Sequence, residues 1–175
     1  TLHFHNDPRT MNGSKSVNER INIAENAEAV YFVSQYIKNC FIDGINKEYK
    51  NLYIIPNAIQ RNLYQKPNKN KEVLFIGRLV EEKGCHLYVE AIKSIVTKFP
   101  DWKFRIIGTE KAGQKNLSSS YAKNLINDFK SLGNNTEYLG FISNEEVSNI
   151  LKKTSILIVP SIWQEPFALT ALEGV

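Results

Sequence analysis

The sequence predicts an α/β protein with parallel sheets and helices on both faces. From residue 72 onward, short apolar runs alternate with longer amphipathic segments, a pattern typical of successive βαβ units. The first 59 residues show the same strand and helix alternation, and Gly77 ends an apolar run where a strand would pass into a loop. With 175 residues, 42% of them hydrophobic and 23% charged, the chain is long and apolar enough to bury a core.

Residues 1–59 are predicted to hold three strands and two helices. Apolar runs indicate the strands, and serine before an amphipathic run indicates the start of each helix. In chain order we predict a strand over residues 2–5, a helix over 16–27, a strand over 29–33, a helix from Ser34 through Ile42 and a strand over 52–55. The polar stretch 60–71 that follows is typical of an interdomain linker.

Residues 72–175 are predicted to form a second parallel sheet joined by right-handed crossovers. Its predicted strands are 73–76, 102–107, 137–139 and 156–159, and its predicted helices are 85–99, 119–132, 144–153 and one opening at Phe167. Apolar spacing predicts that Leu87, Ala91, Ile92 and Ile95 share the buried face of the first of these helices. Ser143 and Glu146 have the spacing of a capping box.

Composition excludes several classes of protein. No apolar run approaches the roughly 20 residues of a membrane span, and the first residues do not resemble a signal peptide, so we expect a cytoplasmic protein. Cys40 and Cys85 are far apart and are interpreted as structural thiols. The net charge of +4 favours a phosphate-rich partner, whereas no stripe of lysine and arginine indicates nucleic acid.

Two glutamates, Glu165 and Glu173, flank the predicted junction between the last strand and the last helix. Ligands of open parallel sheets bind at the carboxyl ends of strands. We expect the backbone N–H groups of Phe167, Ala168 and Leu169 to face an anion there, while the carboxylates accept hydrogen bonds from hydroxyl groups. Such a site suits a sugar joined to phosphate.

A second candidate segment runs from Gly77 to Gly84 and contains Arg78 and Lys83. Two fixed cations at a strand end could stabilise the charge that gathers on a departing diphosphate, although loop cations are often simply solvated. The segment lacks the Gly-x-Gly-x-x-Gly fingerprint, so a nicotinamide enzyme is disfavoured.

Together, the Gly-Arg-Leu-x-x-x-Lys-Gly and Glu-x7-Glu segments resemble the retaining GT-B glycosyltransferases of the fourth glycosyltransferase family, which includes many lipopolysaccharide, capsule and glycolipid sugar transferases. The resemblance implies two Rossmann-like domains and a chain truncated at both ends. Residues 1–59 would close the N-terminal, acceptor-side domain, residues 60–71 would link the two, and residues 72–175 would form most of the donor-binding domain.

The resemblance also implies roles for particular residues. Gly77, Arg78 and Lys83 would line the site of the donor diphosphate, Glu165 would contact hydroxyls of the transferred sugar, and Glu173 would contact the ribose. The backbone of Ile142 would contact the base.

His5 is matched to a family histidine near the transferred sugar, with His3 as the competing candidate. Strand alternation predicts that both histidines point to the same side. Arg9, in the loop that follows, is either a phosphate contact or a solvated cation.

The expected activity is transfer of a hexose from a nucleoside diphosphate sugar, UDP-sugar by family frequency, to an acceptor hydroxyl with retention of configuration. The expected acceptor is a cell-envelope glycan or a lipid-linked glycan, with peripheral association at the inner membrane. No metal and no further cofactor are expected, and the chain by itself is expected to be inactive. A nucleotide-sugar 2-epimerase and a non-catalytic binding fragment remain alternatives, whereas a glycosidase would need its two carboxylates on either side of the scissile bond.

Overall fold

A computed structural model describes residues 1–59 and 68–174, which form two compact units. The N-terminal unit consists of residues 1–59 together with Glu165–Leu169, and the C-terminal unit consists of residues 68–164 and 170–174. Most of the predicted linker, residues 60–67, lies outside the described residues. Asn70 and Lys71, expected in the linker, already belong to a strand.

The N-terminal unit is a small parallel sheet with two helices. Its strands pair in the order β1-β2-β3, and His3, Tyr31 and Tyr53 stand opposite one another on successive strands. Its elements are β1 (Leu2–Phe4), a 3-10 helix (Pro8–Thr10), α1 (Val17–Asn26), β2 (Val30–Phe32), α2 (Gln35–Ile42) and β3 (Leu52–Ile54). All five predicted strands and helices of this region are present.

The core of the N-terminal unit is aromatic. Phe4, Phe32 and Phe41 are buried together, with ring centroids 5.1 to 5.8 Å apart. Phe167 packs against the same core, which explains why its short segment groups with this unit.

The C-terminal unit is a four-stranded parallel sheet in the order β6-β5-β4-β7. Its strands are β4 (Asn70–Ile76), β5 (Lys103–Ile107), β6 (Thr136–Gly140) and β7 (Thr154–Ile158). Its helices are a 3-10 helix (Glu81–Lys83), α3 (Cys85–Ile95), α4 (Ser120–Ser131), α5 (Asn144–Lys153) and, apart from its first residue, α6 (Leu169–Glu173). The predicted capping box of Ser143 and Glu146 is present at the start of α5.

Helices cover both faces of this sheet. Val73 and Phe75 face α3 and α4, whereas the alternate residues Leu74 and Ile76 face α5. Because side chains alternate along a strand, β4 contributes to a separate apolar cluster on each side. The predicted fold class, parallel sheets with helices on both faces, is confirmed.

The predicted buried face of α3 is confirmed for Ile92 and Ile95, which lie in or against the core, and is wrong for Leu87 and Ala91. The buried residues of this helix include Tyr88, Val89 and Ile92, whereas Leu87 is 40% exposed and Ala91 is exposed. Tyr88 can be buried because its hydroxyl donates a hydrogen bond to the carbonyl of Val73 at 3.0 Å. The prediction from apolar spacing did not include this tyrosine, so it placed the buried face on a neighbouring side of the helix.

Candidate functional site

The loops that follow β4, β5 and β6 are bound together at the carboxyl edge of the C-terminal sheet. Gly77 donates its N–H to the carbonyl of Ile107 at 3.1 Å, and Leu79 donates to the carbonyl of Thr109 at 3.0 Å. On the next loop, Gly108 donates to the carbonyl of Gly140 at 2.8 Å. These bonds continue the sheet beyond its last paired residues and hold the Gly77 turn on a rigid support.

Gly108 permits this close approach. Its φ of +129° lies in a region that side chains rarely adopt, and a Cβ there would collide with the carbonyl of Gly77. The Tyr138 hydroxyl donates to the carbonyl of Gly108 at 3.1 Å, which fixes the same loop from β6. The edge is therefore preorganised in its backbone.

Arg78 and Lys83 lie on the turn that this edge supports. The Nη2 of Arg78 donates to Oε1 of Glu82 at 2.6 Å, and the two side chains are 50% and 44% exposed. The ammonium of Lys83 lies 5.1 Å from the ring centroid of Trp163, within cation–π distance. Both predicted cations are present on one turn, and the guanidinium is accessible to a ligand.

The segment after β7 lies against this turn. Ile162 donates its N–H to the carbonyl of Glu82 at 3.0 Å, and Gly84 stands against the carbonyl of Pro160. Gly84 adopts a φ of +66° and forms the N-cap of α3. The chain just before Glu165 is thus fixed to the turn that contains both cations.

The predicted helix start at Phe167 is wrong by two residues, because α6 begins at Leu169. The N–H of Leu169 donates to the carbonyl of Phe167 at 3.0 Å, so it does not point freely toward an anion as predicted. We attribute the delayed start to the packing of Phe167 against the core of the N-terminal unit. Ala168 also precedes the helix.

The two glutamates of the predicted pair fall in different units. Glu165 is half-buried and belongs to the N-terminal unit, whereas Glu173 is exposed in α6 and belongs to the C-terminal unit. The end of α6 packs against β7. Gly174, directly after the helix, lies so close to the side chain of Leu157 that a Cβ at position 174 would collide with it. Glu173 is therefore positioned by the same sheet that supports Arg78.

His5 directly follows β1, and its ring centroid lies 4.3 Å from that of His3. The expectation that both histidines point to the same side is confirmed, and the geometry does not choose between them. Arg9 is engaged by Asp7 and Asp43, with the nearest nitrogen to oxygen distances at 2.8 and 3.0 Å. This arginine closes the loop after β1, and the adjacent guanidinium lowers the pKa of Asp7.

Ile142 follows β6 and is half-buried against the apolar cluster formed with α5. Its neighbour Phe141 is 50% exposed at the same edge. The side chain of Ile142 belongs to the core, and a contact of its backbone with a base stays a prediction.

Two residues at the site were not predicted from the sequence. Glu82 could have been found, because it lies four residues after Arg78, a spacing common to ion pairs. Trp163 offered no signal, since its approach to Lys83 depends on the fold of the segment after β7.

In the loop after β5, Glu110 accepts hydrogen bonds from the backbone of Ser118 at 2.6 Å and of Ser119 at 2.8 Å. Hydrogen bonds from Ser119 and Ser118 lower the pKa of Glu110 to about 2, and the bond from Ser119 contributes most. This carboxylate holds the start of α4 and is a structural anion rather than a titrating catalyst.

Within residues 1–59 and 68–174, no group of three or more histidine, cysteine, aspartate or glutamate side chains could hold a metal ion. The expectation that no metal takes part stays a prediction. In the same part of the chain, no helix is both long and apolar enough to cross a membrane.

Solved structures share this fold. The Anabaena protein HepE in complex with UDP and glucose aligns with a TM-score of 0.74 at 20% identity, over 99% of this chain and 49% of that one. TarM of S. aureus, in complex with Fondaparinux, alpha-GlcNAc-glycerol and UDP, aligns with a TM-score of 0.64 at 22% identity, over 90% of this chain and 30% of that one. At these identities the likeness concerns the fold, and the GT-B type that the sequence predicted is confirmed.

Sequence relatives agree with the fold. The chain is 30% identical over 149 residues to an uncharacterized glycosyltransferase of Methanocaldococcus jannaschii, covering 85% of this chain and 38% of the relative. It is 27% identical over 133 residues to the lipopolysaccharide 1,2-N-acetylglucosaminetransferase of Salmonella typhimurium, covering 69% of this chain and 35% of the relative. The chain thus spans less than half the length of these relatives. The family model for group 1 glycosyl transferases matches residues 57–175, and the protein belongs to that family.

Proposed function

We propose that this chain supplies the donor site of a retaining glycosyltransferase that moves a hexose from a UDP-sugar to an acceptor hydroxyl. The observation that carries the proposal is the turn from Gly77 to Gly84, which holds Arg78 and Lys83 on a backbone fixed by neighbouring loops. Glycosyl transfer leaves a nucleoside diphosphate, and its negative charge grows as the glycosidic bond breaks. Cations held in place beforehand stabilise that charge without reorganising.

The two cations have complementary parts in this proposal. The guanidinium of Arg78 can bind two phosphate oxygens with its planar fork, whereas the ammonium of Lys83 acts as a point charge. Trp163 lies beside Lys83 and limits the positions that the long side chain can take. The diphosphate would therefore bind between a directional donor and a compact cation.

Sugar and nucleoside contacts come from the remaining predicted residues. Glu165 would accept hydrogen bonds from hydroxyls of the transferred sugar, Glu173 would accept those of the ribose, and His5 would bind the sugar. The backbone of Ile142 would contact the base, and Gly77 would line the site of the diphosphate. Phe167, Ala168 and Leu169 would border the site, with no anion contact assigned to the N–H of Leu169, which is already bonded.

The choice of UDP is supported by the solved structures, since HepE was crystallised with UDP and glucose and TarM with UDP. The relative from Salmonella typhimurium acts on lipopolysaccharide by its name. This supports a glycan or lipid-linked acceptor of the cell envelope and a cytoplasmic enzyme at the periphery of the inner membrane. The proposal of retention of configuration is supported only by the resemblance of the two segments to the retaining family.

We further propose that the reaction needs no metal ion, because Arg78 and Lys83 supply the positive charge that a divalent cation supplies in other transferases. Activity of the complete protein in the presence of a chelator tests this point. Full activity is expected, and a complete loss restored by added metal would contradict it. An epimerase is not favoured, since the two sequence relatives described above are named as transferases.

Ligand-observed NMR with UDP-, GDP- and ADP-sugars tests the donor site directly. Arg78→Ala and Glu173→Ala are expected to lose the saturable binding of one nucleotide, whereas Lys98→Ala, which removes an exposed cation elsewhere in the same unit, should retain it. Equal binding by wild type and Arg78→Ala would exclude the proposed phosphate site. The 175-residue chain by itself is expected to show far less turnover than a protein of the relatives' full length.

A further inference from the structure

The turn that holds the two cations has no net charge. Arg78 and Lys83 contribute two positive charges, and Glu81 and Glu82 contribute two negative ones within the same segment from Gly77 to Gly84. A nucleoside diphosphate would therefore approach a locally neutral turn, and the distribution of charge within it decides how strongly the ligand is held.

Of the two acids, the structure pairs Glu82 with Arg78. The distance of 2.6 Å between Nη2 and Oε1 is that of a close ion pair, and both side chains are about half exposed. The backbone of Glu82 is fixed as well, because its carbonyl accepts the N–H of Ile162 at 3.0 Å. The carboxylate is thus kept within reach of Arg78.

A carboxylate and a phosphate group present similar oxygen pairs to an arginine fork. A phosphate that binds the Nη2 edge of Arg78 must displace the carboxylate of Glu82 or share the fork with it. In either case the ligand bears the cost of a weakened ion pair and of a nearby negative charge.

We propose that Glu82 is an internal counter-ion that competes with the donor diphosphate for Arg78 and so lowers the affinity for the released nucleoside diphosphate. This inference rests on the proposed function of the turn. Once the sugar has been transferred, the leaving diphosphate has one more exposed anionic oxygen than the donor, so two cations alone would hold it more tightly. Recapture of Arg78 by Glu82 assists its release.

Calorimetric titration with UDP tests the proposal on the wild-type chain and on Glu82→Gln, a change that keeps the shape of the side chain and removes its charge. We expect UDP to bind Glu82→Gln about two- to fivefold more tightly, since an exposed ion pair changes an equilibrium by no more than about fivefold. Glu81→Gln is the matched control, because it removes the same charge from the same 3-10 helix and leaves the Arg78 pair intact. It should tighten binding by clearly less.

A double-mutant cycle separates competition from other effects. In an Arg78→Lys background, which keeps one positive charge but removes the planar fork, Glu82→Gln is expected to tighten UDP binding by clearly less than in the wild-type background, because the contested group is gone. Unchanged or weaker binding by Glu82→Gln, or equal tightening by Glu81→Gln, would overturn the inference and leave the donor site standing. Absence of UDP binding by both the folded wild type and Glu82→Gln would overturn the donor site and the inference together.

Discussion

Gly84 and Pro160 are in direct backbone contact: the carbonyl oxygen of Pro160 occupies the place where a Cβ on residue 84 would lie. Gly84 has a φ of +66° and is the N-cap of α3, while Pro160 follows β7. The turn from Gly77 to Gly84 and the segment after β7 therefore meet at a point where only glycine fits, and Ile162 reinforces the contact by donating its N–H to the carbonyl of Glu82.

Gly84→Ala is expected to destabilise the protein more than a glycine replacement elsewhere. The left-handed conformation alone costs alanine roughly 1–2 kcal/mol, and the collision with Pro160 adds to that cost. Gly113→Ala is the matched control, since Gly113 has a φ of +76° but no neighbour within 4 Å. Urea unfolding should show a free energy of unfolding lower by at least about 1 kcal/mol in Gly84→Ala than in Gly113→Ala. Equal free energies of unfolding for the two variants would mean that the contact between Gly84 and Pro160 does not contribute to stability.

Local signals in the sequence were sufficient for most of the fold. The capping box of Ser143 and Glu146, the apolar run of β4 and the glycine before α3 each act through neighbouring residues, so they could be predicted. The buried face of α3 could be predicted only in part, because Tyr88 is accommodated by a hydrogen bond to Val73, fifteen positions away in sequence. The start of α6 was displaced for a similar reason, the packing of Phe167.

Arg20 is a buried arginine that the sequence did not reveal. Its guanidinium donates to the carbonyls of Phe41, Ser14, Lys15 and Asp43 at 2.7 to 3.2 Å, joining the loop before α1 to the end of α2. Arg20→Ala leaves these carbonyls without their donor, so we expect a loss of roughly 3 kcal/mol or more in the free energy of unfolding. Arg9→Ala, which removes an exposed ion pair, should cost less than about 1 kcal/mol. Denaturant titration of both variants measures the difference. Similar losses of unfolding free energy in the two variants would contradict the structural role given to Arg20.

For the site, the sequence predicted residue types better than their surroundings. Arg78 and Lys83 lie together on one turn as predicted, since their separation is set by the chain itself. Their partners Glu82 and Trp163 depend on how the turn folds and on what packs beside it. The grouping of Glu165 with the N-terminal unit could not be predicted either, because it follows from the packing of the Phe167 side chain.

Stability should depend on the ionisation of Glu110 in acid. Its pKa in the folded protein, about 2, lies below the ordinary value of 4.5, because Ser119 and Ser118 donate hydrogen bonds to the charged form. The carboxylate therefore stabilises the fold above pH 4.5, and this stabilisation is lost as the pH falls toward about 2. Glu110→Gln should be less stable than wild type near neutral pH and equally stable near the acid end. Denaturation midpoints across this range measure the effect, with Glu90→Gln on the exposed side of α3 as control; a constant difference at all pH values would be inconsistent with it.

Cys85 is expected to resist alkylation until the protein unfolds. The thiol is fully buried between α3 and the sheet, and burial raises its pKa to about 12, so almost none of the reactive thiolate exists near neutral pH. A Cys40→Ser variant isolates Cys85 for labelling with iodoacetamide followed by mass spectrometry. Labelling should be slow in native buffer and should accelerate with urea in step with global unfolding. Rapid labelling in native buffer, with no dependence on urea, would show that α3 opens locally and that the turn before it is less rigid than its hydrogen bonds indicate.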